Sequence, residues 1–442
     1  MDGTTSKFIE RLEPQDLRAH LYLLGGGAWR TDLALDLAIS LINQGYGVCF
    51  LDRSGPASNL LLRAMPPTLI ENTFYWNIGD RKRQAALNIL NTEHKDERYM
   101  AVEMLVMAFQ SLFGTDGVGH RSAYLLTNLS LALMDVPGST LYCLKPLLIN
   151  SRYRAHIRAQ AKSRHVREFW SEFAAFEENP KLLLEITAPL MNKLGALFLN
   201  PLVRNIFAQT VSTVDFDFLM KTNKVIIINL AEQSADPEVT TPIGRRQATL
   251  VGNLVLSNLK LAASKRTSHE KDFFLFIPNC ETLSQDLLDD FLANTTNRLN
   301  LVIGSQSLSH RRETFSRCGS FISFKCSSDD LELIVSELAD PRYEQRKLME
   351  SLTLSGRRIC GRLFDWQGGS FSPAFDGVVE PLEYVEAGKP NSIINYSRMR
   401  YARPRAKIER KLSRFAEHWD AKENKSKKES CKPSQSNSLS ET

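Results

Sequence analysis

Short apolar runs and helical spacing alternate along the first part of the chain. Residues 20–24 form a largely apolar run that predicts a buried strand, and three glycines follow at 25–27. Apolar residues within 31–43 recur at helical spacing, and residues 47–51 form a second apolar run that ends at Asp52. A strand, a glycine-rich turn, a helix and a strand make a βαβ unit, so the pattern predicts a parallel sheet.

The middle of the chain carries helical periodicity instead. Apolar side chains between about 96 and 209 are three or four positions apart, as at Val102, Leu105 and Phe109. We therefore expect residues 96–209 to form an all-α domain that is inserted into the α/β domain.

Strand patterns return after this helical segment. Four β-branched or aromatic runs predict strands at 225–230, 273–277, 299–303 and 320–325. Helical patterns separate or follow them at 248–262, 287–294 and 331–338. Strands that alternate with helices favour a mainly parallel sheet covered on both faces. We expect this α/β domain to be discontinuous and to comprise residues 1–95 and 210–385.

The composition excludes several classes of protein. Of the 442 residues, 43% are hydrophobic and 24% are charged, which is typical of a globular protein with a sizeable core. No apolar run approaches the roughly 18 residues of a membrane-spanning helix, and the first residues do not resemble a secretory signal. The seven cysteines include no C-x-x-C pair, which argues against a disulfide framework or a zinc site. The sequence thus predicts a cytoplasmic protein, with peripheral association at the inner membrane as the alternative.

The basic charge is concentrated in the last part of the chain. The formal net charge is +5, and residues 398–442 alone hold thirteen Lys or Arg against six Asp or Glu. We expect residues 386–442 to be a basic, largely disordered tail, with low-complexity sequence from 421, and we expect the fold to survive deletion of 398–442. Residues 407–419 predict an amphipathic helix whose apolar face consists of Ile408, Leu412, Phe415 and Trp419.

Cations with aromatic neighbours are typical of nucleic-acid binding, because cations neutralise phosphates and rings stack on bases. The candidate nucleic-acid contacts in the tail are Arg398, Arg400, Arg403, Arg405, Lys407, Arg410, Lys411 and Arg414. Two alternatives stand beside this hypothesis. The tail is a solvated segment without a partner, or its apolar face meets an acidic membrane surface.

The glycine-rich turn is a candidate phosphate site. Backbone N–H groups between a strand and a helix favour an anion, and a working P-loop reads G-x-x-x-x-G-K-[ST]. The turn here reads G-G-G-A-W-R-T-D and lacks the lysine. The motif can be aligned with this turn in two registers. In the first, Arg30 and Thr31 take the places of the Lys and the Ser/Thr, but the indole of Trp29 crowds the path of the phosphate. In the second, the carboxylate of Asp32 lies where the phosphate should lie. The competing interpretation is a structural glycine-rich turn.

Two further positions are candidates for phosphate chemistry. A nucleotide motor needs carboxylates after its second motor strand, and Pro278-Asn279 follows the strand at 273–277. Glu281 lies nearby but comes late in the loop, and Gln306 follows the strand at 299–303, where a glutamine can sense a γ-phosphate. Ordinary solvated loops explain both positions equally simply.

These segments, in this order, resemble the conjugative DNA-transfer family. Its members are the type IV secretion coupling proteins, which are related to the HerA/FtsK-type motors. The resemblance covers roughly residues 11–385. It is carried by R-A-H-L-Y-L-L-G (18–25), G-Y-G-V-C-F-L-D-R-S-G (45–55), L-N-I-L (87–90), G-H-R-S-A-Y-L-L-T-N (119–128), G-S-T-L (138–141), R-E-F-W (167–170), M-N-K-L-G (191–195), N-K-V-I-I-I-N-L (223–230), L-V-G-N-L-V-L-S (250–257) and the strand before Gln306. The resemblance implies a RecA-like P-loop NTPase fold with an inserted all-α domain.

The departures from the family pattern fall on its chemistry. The P-loop lysine is missing, the acidic pair aligns with Pro278 and Asn279, and the Arg-Lys pair aligns with Thr295 and Thr296. Of the family's D-P-H-G, only Asp52 and Gly55 remain. We therefore name no confident catalytic residue; Glu281 and Gln306 are the candidates. If ATP or ADP binds, it binds weakly at Gly25, Gly26, Gly27, Arg30, Thr31 and Asp52.

The leading hypothesis is a catalytically degenerate member of this family that acts in DNA transfer or secretion without hydrolysing ATP. One alternative is a divergent but active DNA translocase in which Arg30 replaces the lysine and Glu281 the acid. The other is a scaffold or interaction protein with a nucleic-acid-binding tail. No cofactor or metal is required on the leading hypothesis, and Mg²⁺ is expected only if the site is active. The expected partners are DNA and other secretion or conjugation proteins, and the expected assembly is a homo-hexamer or a mixed ring with an active paralogue.

Overall fold

A computed structural model describes residues 12–92, 96–114, 117–232, 240–293, 298–338, 356–365, 368–380 and 388–430, with side chains up to 419 in the last segment. The strands of the main sheet are β1 (Leu21–Leu24), β2 (Gly47–Asp52), β3 (Thr73–Asn77), β5 (Val225–Asn229), β6 (Phe273–Ile277), β7 (Leu299–Ser305), β8 (Ser320–Ser323), β9 (Arg358–Arg362) and β12 (Phe375–Val378). Two small two-stranded sheets pair β4 (Arg83–Ala85) with β13 (Ala402–Pro404) and β10 (Phe364–Asp365) with β11 (Ser370–Phe371).

The helices divide into three groups along the chain. The first group is α1 (Ala28–Asn43) and α2 (Pro56–Ala64). The second is α3 (Glu97–Phe113), α4 (His120–Met134), α5 (Leu144–Ile149), α6 (Ser151–Arg158), α7 (Arg164–Glu177), α8 (Pro180–Phe198) and α9 (Pro201–Phe207). The third is α10 (Phe216–Lys221), α11 (Arg245–Ser264), α12 (Gln285–Leu292), α13 (Arg312–Ser316), α14 (Ser328–Glu337), α15 (Pro390–Tyr401) and α16 (Arg405–Ser430). Short 3₁₀ turns lie at Pro14–Leu17, Pro67–Leu69 and Leu141–Cys143.

The main sheet has the strand order β12-β9-β8-β1-β7-β6-β2-β5-β3. Neighbouring strands from β8 to β3 pair in parallel, whereas β9 pairs antiparallel with both β8 and β12 at one edge. The predicted α/β class with a mainly parallel sheet is confirmed. Parallel strands need crossover connections, and the helices of the chain supply them.

Each central strand buries side chains on both faces, because helices cover the sheet on both sides. In β6, Phe274 and Phe276 face one core, while Phe273, Leu275 and Ile277 face the other. The first core lies under α1, α2 and α15, and the second lies under α11 and the helices of the middle segment.

Every element that the structure describes between Glu97 and Phe207 is helical. These helices share one hydrophobic core with the sheet and do not enclose a separate one. Helix α3 packs along α11, where Asn253 Nδ2 donates a 2.6 Å hydrogen bond to Ser111 Oγ and Lys265 pairs with Glu97 at 3.0 Å. The core is therefore continuous across residue 96, and the division into domains stays a prediction.

Several observed boundaries differ from the predicted ones. Helix α1 begins at Ala28, directly after the glycines, and α14 begins at Ser328. The first turn of α14 is polar and so lies outside the apolar pattern that predicted the helix, whereas α1 gains Ala28, Trp29 and Arg30. Strand β7 runs on to Ser305, because its small polar end is buried beside β1. The predicted helix end at Asn294 and the positions Thr295 and Thr296 lie outside the described residues.

The prediction of a largely disordered tail is wrong for the part of it that the structure describes from 388 onward. Helix α15 packs on β3, where Ser397 Oγ accepts a 2.9 Å hydrogen bond from the backbone N–H of Tyr75. Arg398 pairs with Asp80 at 2.6 Å, and β13 pairs with β4. Residues 421–430 continue α16, while 431–442 lie outside the described residues. Because the tail supplies a strand and core side chains, the structure argues against the expectation that the fold survives deletion of 398–442.

The predicted amphipathic helix over 407–419 is confirmed as part of α16. Its apolar face packs onto the middle helices: Ile408 is buried, and the ring centroid of Trp419 lies 4.8 Å from that of Tyr153. Phe415 lies at 5.8 Å from Tyr153 and at 6.4 Å from Tyr142. This face therefore packs against the protein's own helices.

Within the described residues, no single helix has both the length and the apolar composition to cross a membrane. Pro180–Phe198 and Pro201–Phe207 satisfy these criteria only when taken together, and the chain bends by 105° between them.

We predict that Phe415→Ala lowers the free energy of unfolding by about 1.5–2.5 kcal/mol, roughly half the cost of truncating a fully buried phenylalanine. The reason is that the half-buried ring packs against two tyrosines. Urea unfolding measures the change. Arg414→Ala on the exposed side of the same helix is the matched control, and equal midpoints for the two variants would show that the tail does not contribute to the core.

We also predict an acid-sensitive contribution from His20. Burial lowers the pKa of His20 to about 4, and its Nδ1 accepts a hydrogen bond from the backbone N–H of Leu301, which requires that nitrogen to be unprotonated. Below pH 6.5 the unfolded chain binds a proton that the folded chain does not. The stability is therefore complete above about 6.5 and is lost as the pH falls towards 4.

The measurement compares urea unfolding at pH 7.5 and pH 5. Wild type should lose about 2 kcal/mol more than His20→Asn between these values, since asparagine tolerates the positive φ of 59° and does not titrate. His120→Gln, at an exposed position, should behave as wild type. A His20→Asn variant with the same pH dependence as wild type would contradict the assignment.

Candidate functional site

The carboxyl ends of the parallel strands meet at one edge of the sheet. The Gly25–Gly27 turn follows β1, Gln306 follows β7, Pro278 follows β6 and Arg53 follows β2. Ligands of open α/β sheets bind at such an edge, outside the strand ends. The candidate residues on these loops are therefore neighbours, as a common site requires.

Two of the three glycines, Gly25 and Gly26, are required by close packing against the residues that follow β8, and Gly27 only by its backbone conformation. All have positive φ values of 75°, 72° and 53°, which L side chains rarely adopt. A Cβ on Gly25 would clash with the carbonyl oxygen of Lys325, and one on Gly26 would clash with the ring of Phe324. The turn is thus pressed onto a neighbouring strand end.

The backbone N–H groups of this turn donate to protein carbonyls. Gly25 donates to Ser305 O at 2.9 Å, and Gly26 to Lys325 O at 3.3 Å. Gly27 donates to Gly25 O at 3.0 Å, and Trp29 to Gly26 O at 3.2 Å. In a P-loop such donors point at the phosphates. The helix also starts only three residues after β1, so the four residues between the outer glycines of the P-loop motif have no room.

Arg30 is turned inward under the turn. Its side chain is only 2% exposed, and Nη1 donates to the carbonyl oxygen of Gly25 at 3.1 Å. Nη2 donates to Asn279 Oδ1 at 2.6 Å and to Glu281 Oε1 at 3.2 Å. The aliphatic part crosses Gly304, where a Cβ would come within 2.8 Å of Arg30 Cδ. The guanidinium therefore joins the ends of β1 and β6 and is not directed outward to a ligand.

Glu281 and Gln306 complete this cluster. Glu281 Oε1 also accepts a 3.0 Å hydrogen bond from the backbone N–H of Gln306, and its Oε2 is buried without a hydrogen-bond partner among the described residues. The Gln306 side chain is exposed. The structure thus brings together Arg30, Glu281 and Gln306, but the cation and the carboxylate neutralise each other.

Asp52 does not join the cluster, so its prediction as a nucleotide-binding residue is not supported by its geometry. It is 2% exposed, and Oδ1 accepts from the Ser54 N–H at 3.1 Å. Oδ2 accepts from the Ser58 N–H at 2.6 Å, in the first turn of α2. The carboxylate holds the start of that helix, where the backbone donors lack intrahelical partners.

Thr31 lies half-buried on the first turn of α1. Beside it, the guanidinium of Arg357 stacks over the indole of Trp29 at 4.6 Å from the ring centroid. Trp29 packs against the core beneath the sheet, so the start of the helix is covered by a cation–π pair. Sequence reasoning missed Arg357, because it belongs to the distant antiparallel edge of the sheet and carries no motif.

A second ion pair at the same edge was also missed. Arg53 pairs through both ends of its guanidinium with Glu232 after β5, at 2.8 Å for Nη2 and Oε1. The Glu232 carboxylate raises the pKa of that guanidinium. Arg53 stands where the family pattern has a proline, and this pair connects two adjacent strand ends.

A nucleotide therefore fits this edge poorly. The turn's donors are occupied and Arg30 is paired internally. Among the described residues, no group of three or more His, Cys, Asp or Glu side chains is placed to hold a metal ion. The strand-end cluster is built as an internal polar network.

Comparison with solved structures identifies the fold. The bacterial conjugative coupling protein TrwB in complex with the ATP analogue ADPNP matches with a TM-score of 0.59 and 14% identity, over 86% of this chain and 90% of that one. The fold is similar to that of a conjugative coupling protein. TrwB in its unbound form gives a TM-score of 0.58 at 13% identity, over 85% of this chain and 88% of TrwB. VirB4 of Thermoanaerobacter pseudethanolicus gives 0.51 at 14%, over 83% and 90%.

The likeness to TrwB confirms the predicted RecA-like P-loop NTPase fold with an all-α part, and it confirms the resemblance drawn from the sequence at the level of the fold. No family model matches the sequence, and no curated protein matches it.

We predict that Arg30→Lys lowers the free energy of unfolding by about 2–3 kcal/mol. An ammonium cannot reach Gly25 O, Asn279 and Glu281 together, so buried polar atoms lose their partners. Thermal or urea unfolding measures the loss. Arg164→Lys, whose side chain is 87% exposed, is the matched control and should change stability by less than about 0.5 kcal/mol. Equal effects of the two substitutions would contradict the network.

Proposed function

We propose that this protein is a non-hydrolysing member of the conjugative coupling and type IV secretion ATPase family, and that it acts in DNA transfer or secretion. The fold likeness over most of the chain supports the relation. TrwB itself has been solved with ADP and Mg²⁺ and with nucleotide analogues. The departures at the strand ends of this chain support the loss of hydrolysis.

The observation that carries the proposal is the internal pairing of Arg30. Phosphoryl transfer needs a cation on the phosphates, a metal ion and a group that orients the attacking water. Here the available cation is bonded to the available acid, and Asn279 stands beside them where the family has a carboxylate. Each missing interaction is worth several kcal/mol in a transition state, so their joint loss leaves no useful turnover.

The divergent-motor alternative uses the same residues in other roles. It requires Arg30 to leave Glu281 and reach a phosphate, and it requires Glu281 to activate water. Both moves would leave buried polar atoms without partners, such as Asn279 Oδ1 and the carbonyl of Gly25. The geometry thus favours the non-hydrolysing hypothesis.

DNA remains the proposed partner of the basic residues near the chain end. Arg398, Arg403 and Arg405 are half-buried and bonded to Asp80, Gln209 and Glu409. The exposed cations are Arg400, Lys407, Arg410, Lys411 and Arg414. Arg400 lies on α15, and the other four lie on α16.

We further propose a cytoplasmic location, other secretion or conjugation proteins as partners, and assembly either as a homo-hexamer or as a mixed ring with an active paralogue. The fold likeness to TrwB and VirB4 supports a role beside such proteins. Light scattering of the protein alone and with such a paralogue distinguishes the two assemblies.

The test measures ATP hydrolysis by the full-length protein with and without single-stranded and double-stranded DNA. We expect no DNA-stimulated turnover in wild type. Arg30→Lys should be equally inactive, because Asn279 cannot act as a base.

Turnover in wild type that Glu281→Gln abolishes would overturn the proposal in favour of the divergent motor. The matched control is Glu313→Gln, since Glu313 forms an exposed ion pair with Arg317 away from the strand-end cluster. Its activity should then equal that of wild type.

A further inference from the structure

A cavity of about 380 Å³ lies between helix α16 and two loops of the middle segment, far from the strand-end cluster. One wall is the segment from Arg403 to Phe415, and the other comes from residues 138–143 and 208–211. Its volume lies within the range of small-molecule sites, roughly 300–1,000 Å³.

The two loops are held in place by one buried side chain. Asn88 Nδ2 donates to the carbonyl oxygen of Ser139 at 2.9 Å and to that of Thr210 at 3.0 Å. Asn88 is 4% exposed, so these bonds are shielded from water. The wall opposite α16 is therefore preformed, which reduces the ordering cost of binding.

The cavity is lined by cations without matching acids. Arg403, Lys407 and Lys411 line it, and no Asp or Glu does so among the described residues. Lys407 and Lys411 are one helical turn apart and form no ion pair with a described residue. Arg403 donates a 3.5 Å hydrogen bond to Gln209 Oε1. Uncompensated positive charge in a concave site favours an anion.

The remaining lining suits a planar group. Tyr142 and Phe415 line the cavity, with ring centroids 6.4 Å apart. Both rings are half-buried. Thr140 and Thr210 belong to the same wall. The site thus offers an anion-binding side and an aromatic side within one small volume.

We propose that this cavity binds a nucleotide unit, with its phosphate on Arg403, Lys407 and Lys411 and its base against Tyr142 and Phe415. Such a unit can be a free mononucleotide or one residue of a single strand. The exposed Arg410 and Arg414 extend the basic surface beyond the cavity. The inference rests on the proposed DNA partner of the basic residues but is independent of the proposed loss of hydrolysis, because the cavity shares no residue with the strand-end cluster.

The test compares two double variants that remove the same charge from the same helix. Lys407→Ala with Lys411→Ala removes cations that line the cavity, while Arg410→Ala with Arg414→Ala removes cations outside it. Fluorescence anisotropy of end-labelled oligothymidylate on the full-length protein gives the affinity at several salt concentrations. Circular dichroism and unfolding midpoints check that each variant is folded.

We expect the cavity variant to bind the oligothymidylate at least about tenfold more weakly than wild type. The slope of log affinity against log salt concentration should also be shallower by about 1.4, because each of the two lost phosphate contacts contributes about 0.7. The outer variant should lose less than half of this. Tyr142→Leu should weaken binding by about tenfold with an unchanged salt dependence, because stacking does not release counterions.

Competition with thymidine monophosphate identifies the source of the ligand. If it displaces the strand, the cavity accepts free nucleotides; if only another strand displaces it, the occupant is a unit of a polymer. Both results support the proposal. Equal losses in the two double variants, or no binding of either probe to wild type, would overturn it. These outcomes are independent of the hydrolysis assay, since none of the variants touches Arg30 or Glu281.

Discussion

The buried guanidinium of Arg30 is the interaction on which the strand-end region depends. It bonds the carbonyl oxygen of Gly25 after β1 and, after β6, the amide of Asn279 and the carboxylate of Glu281, which in turn accepts the backbone N–H of Gln306 after β7. A buried cation needs such partners, since its desolvation is otherwise uncompensated. The same placement requires a glycine at 304 and brings the Gly25–Gly27 turn down onto β8. The groups that would serve a nucleotide elsewhere are here used to hold the sheet together.

This arrangement separates the architecture of a motor from its chemistry. The sheet, its crossover helices and the helices of the middle segment share the fold of TrwB. In place of a phosphate cradle, however, the edge of the sheet holds ion pairs such as Arg53–Glu232 and the stack of Arg357 on Trp29. Both contacts are made within the chain, so these side chains are not available to a ligand. The strand-end cluster thus contributes to stability, and we expect binding sites on other surfaces of the protein.

The last segment of the chain is one of those surfaces because it is ordered. Helix α15 and strand β13 tie it to β3 and β4, and the apolar face of α16 closes over the middle helices. The cations of α16 fall into two pairs, one that lines a cavity and one that lies beyond it. Lys407 and Lys411 line a cavity with aromatic walls, while Arg410 and Arg414 face outward. From the sequence only the number of charges in this segment can be counted. The fold decides which charged side chains lie together, and a ligand is recognised by such an arrangement.

Local patterns of the sequence determined the strands and most helices, because the spacing of apolar side chains within a few residues selects the period of the backbone. They also located the glycine turn, the missing lysine and the apolar face of residues 407–419. Contacts between distant residues were beyond such patterns. Arg30 meets Glu281 across 251 positions, and Tyr75 meets Ser397 across 322. Only the tertiary structure decided that the arginine is internal, that Asp52 holds a helix and that the basic segment is packed. Each of these depends on which strand ends and helices the sheet topology brings together.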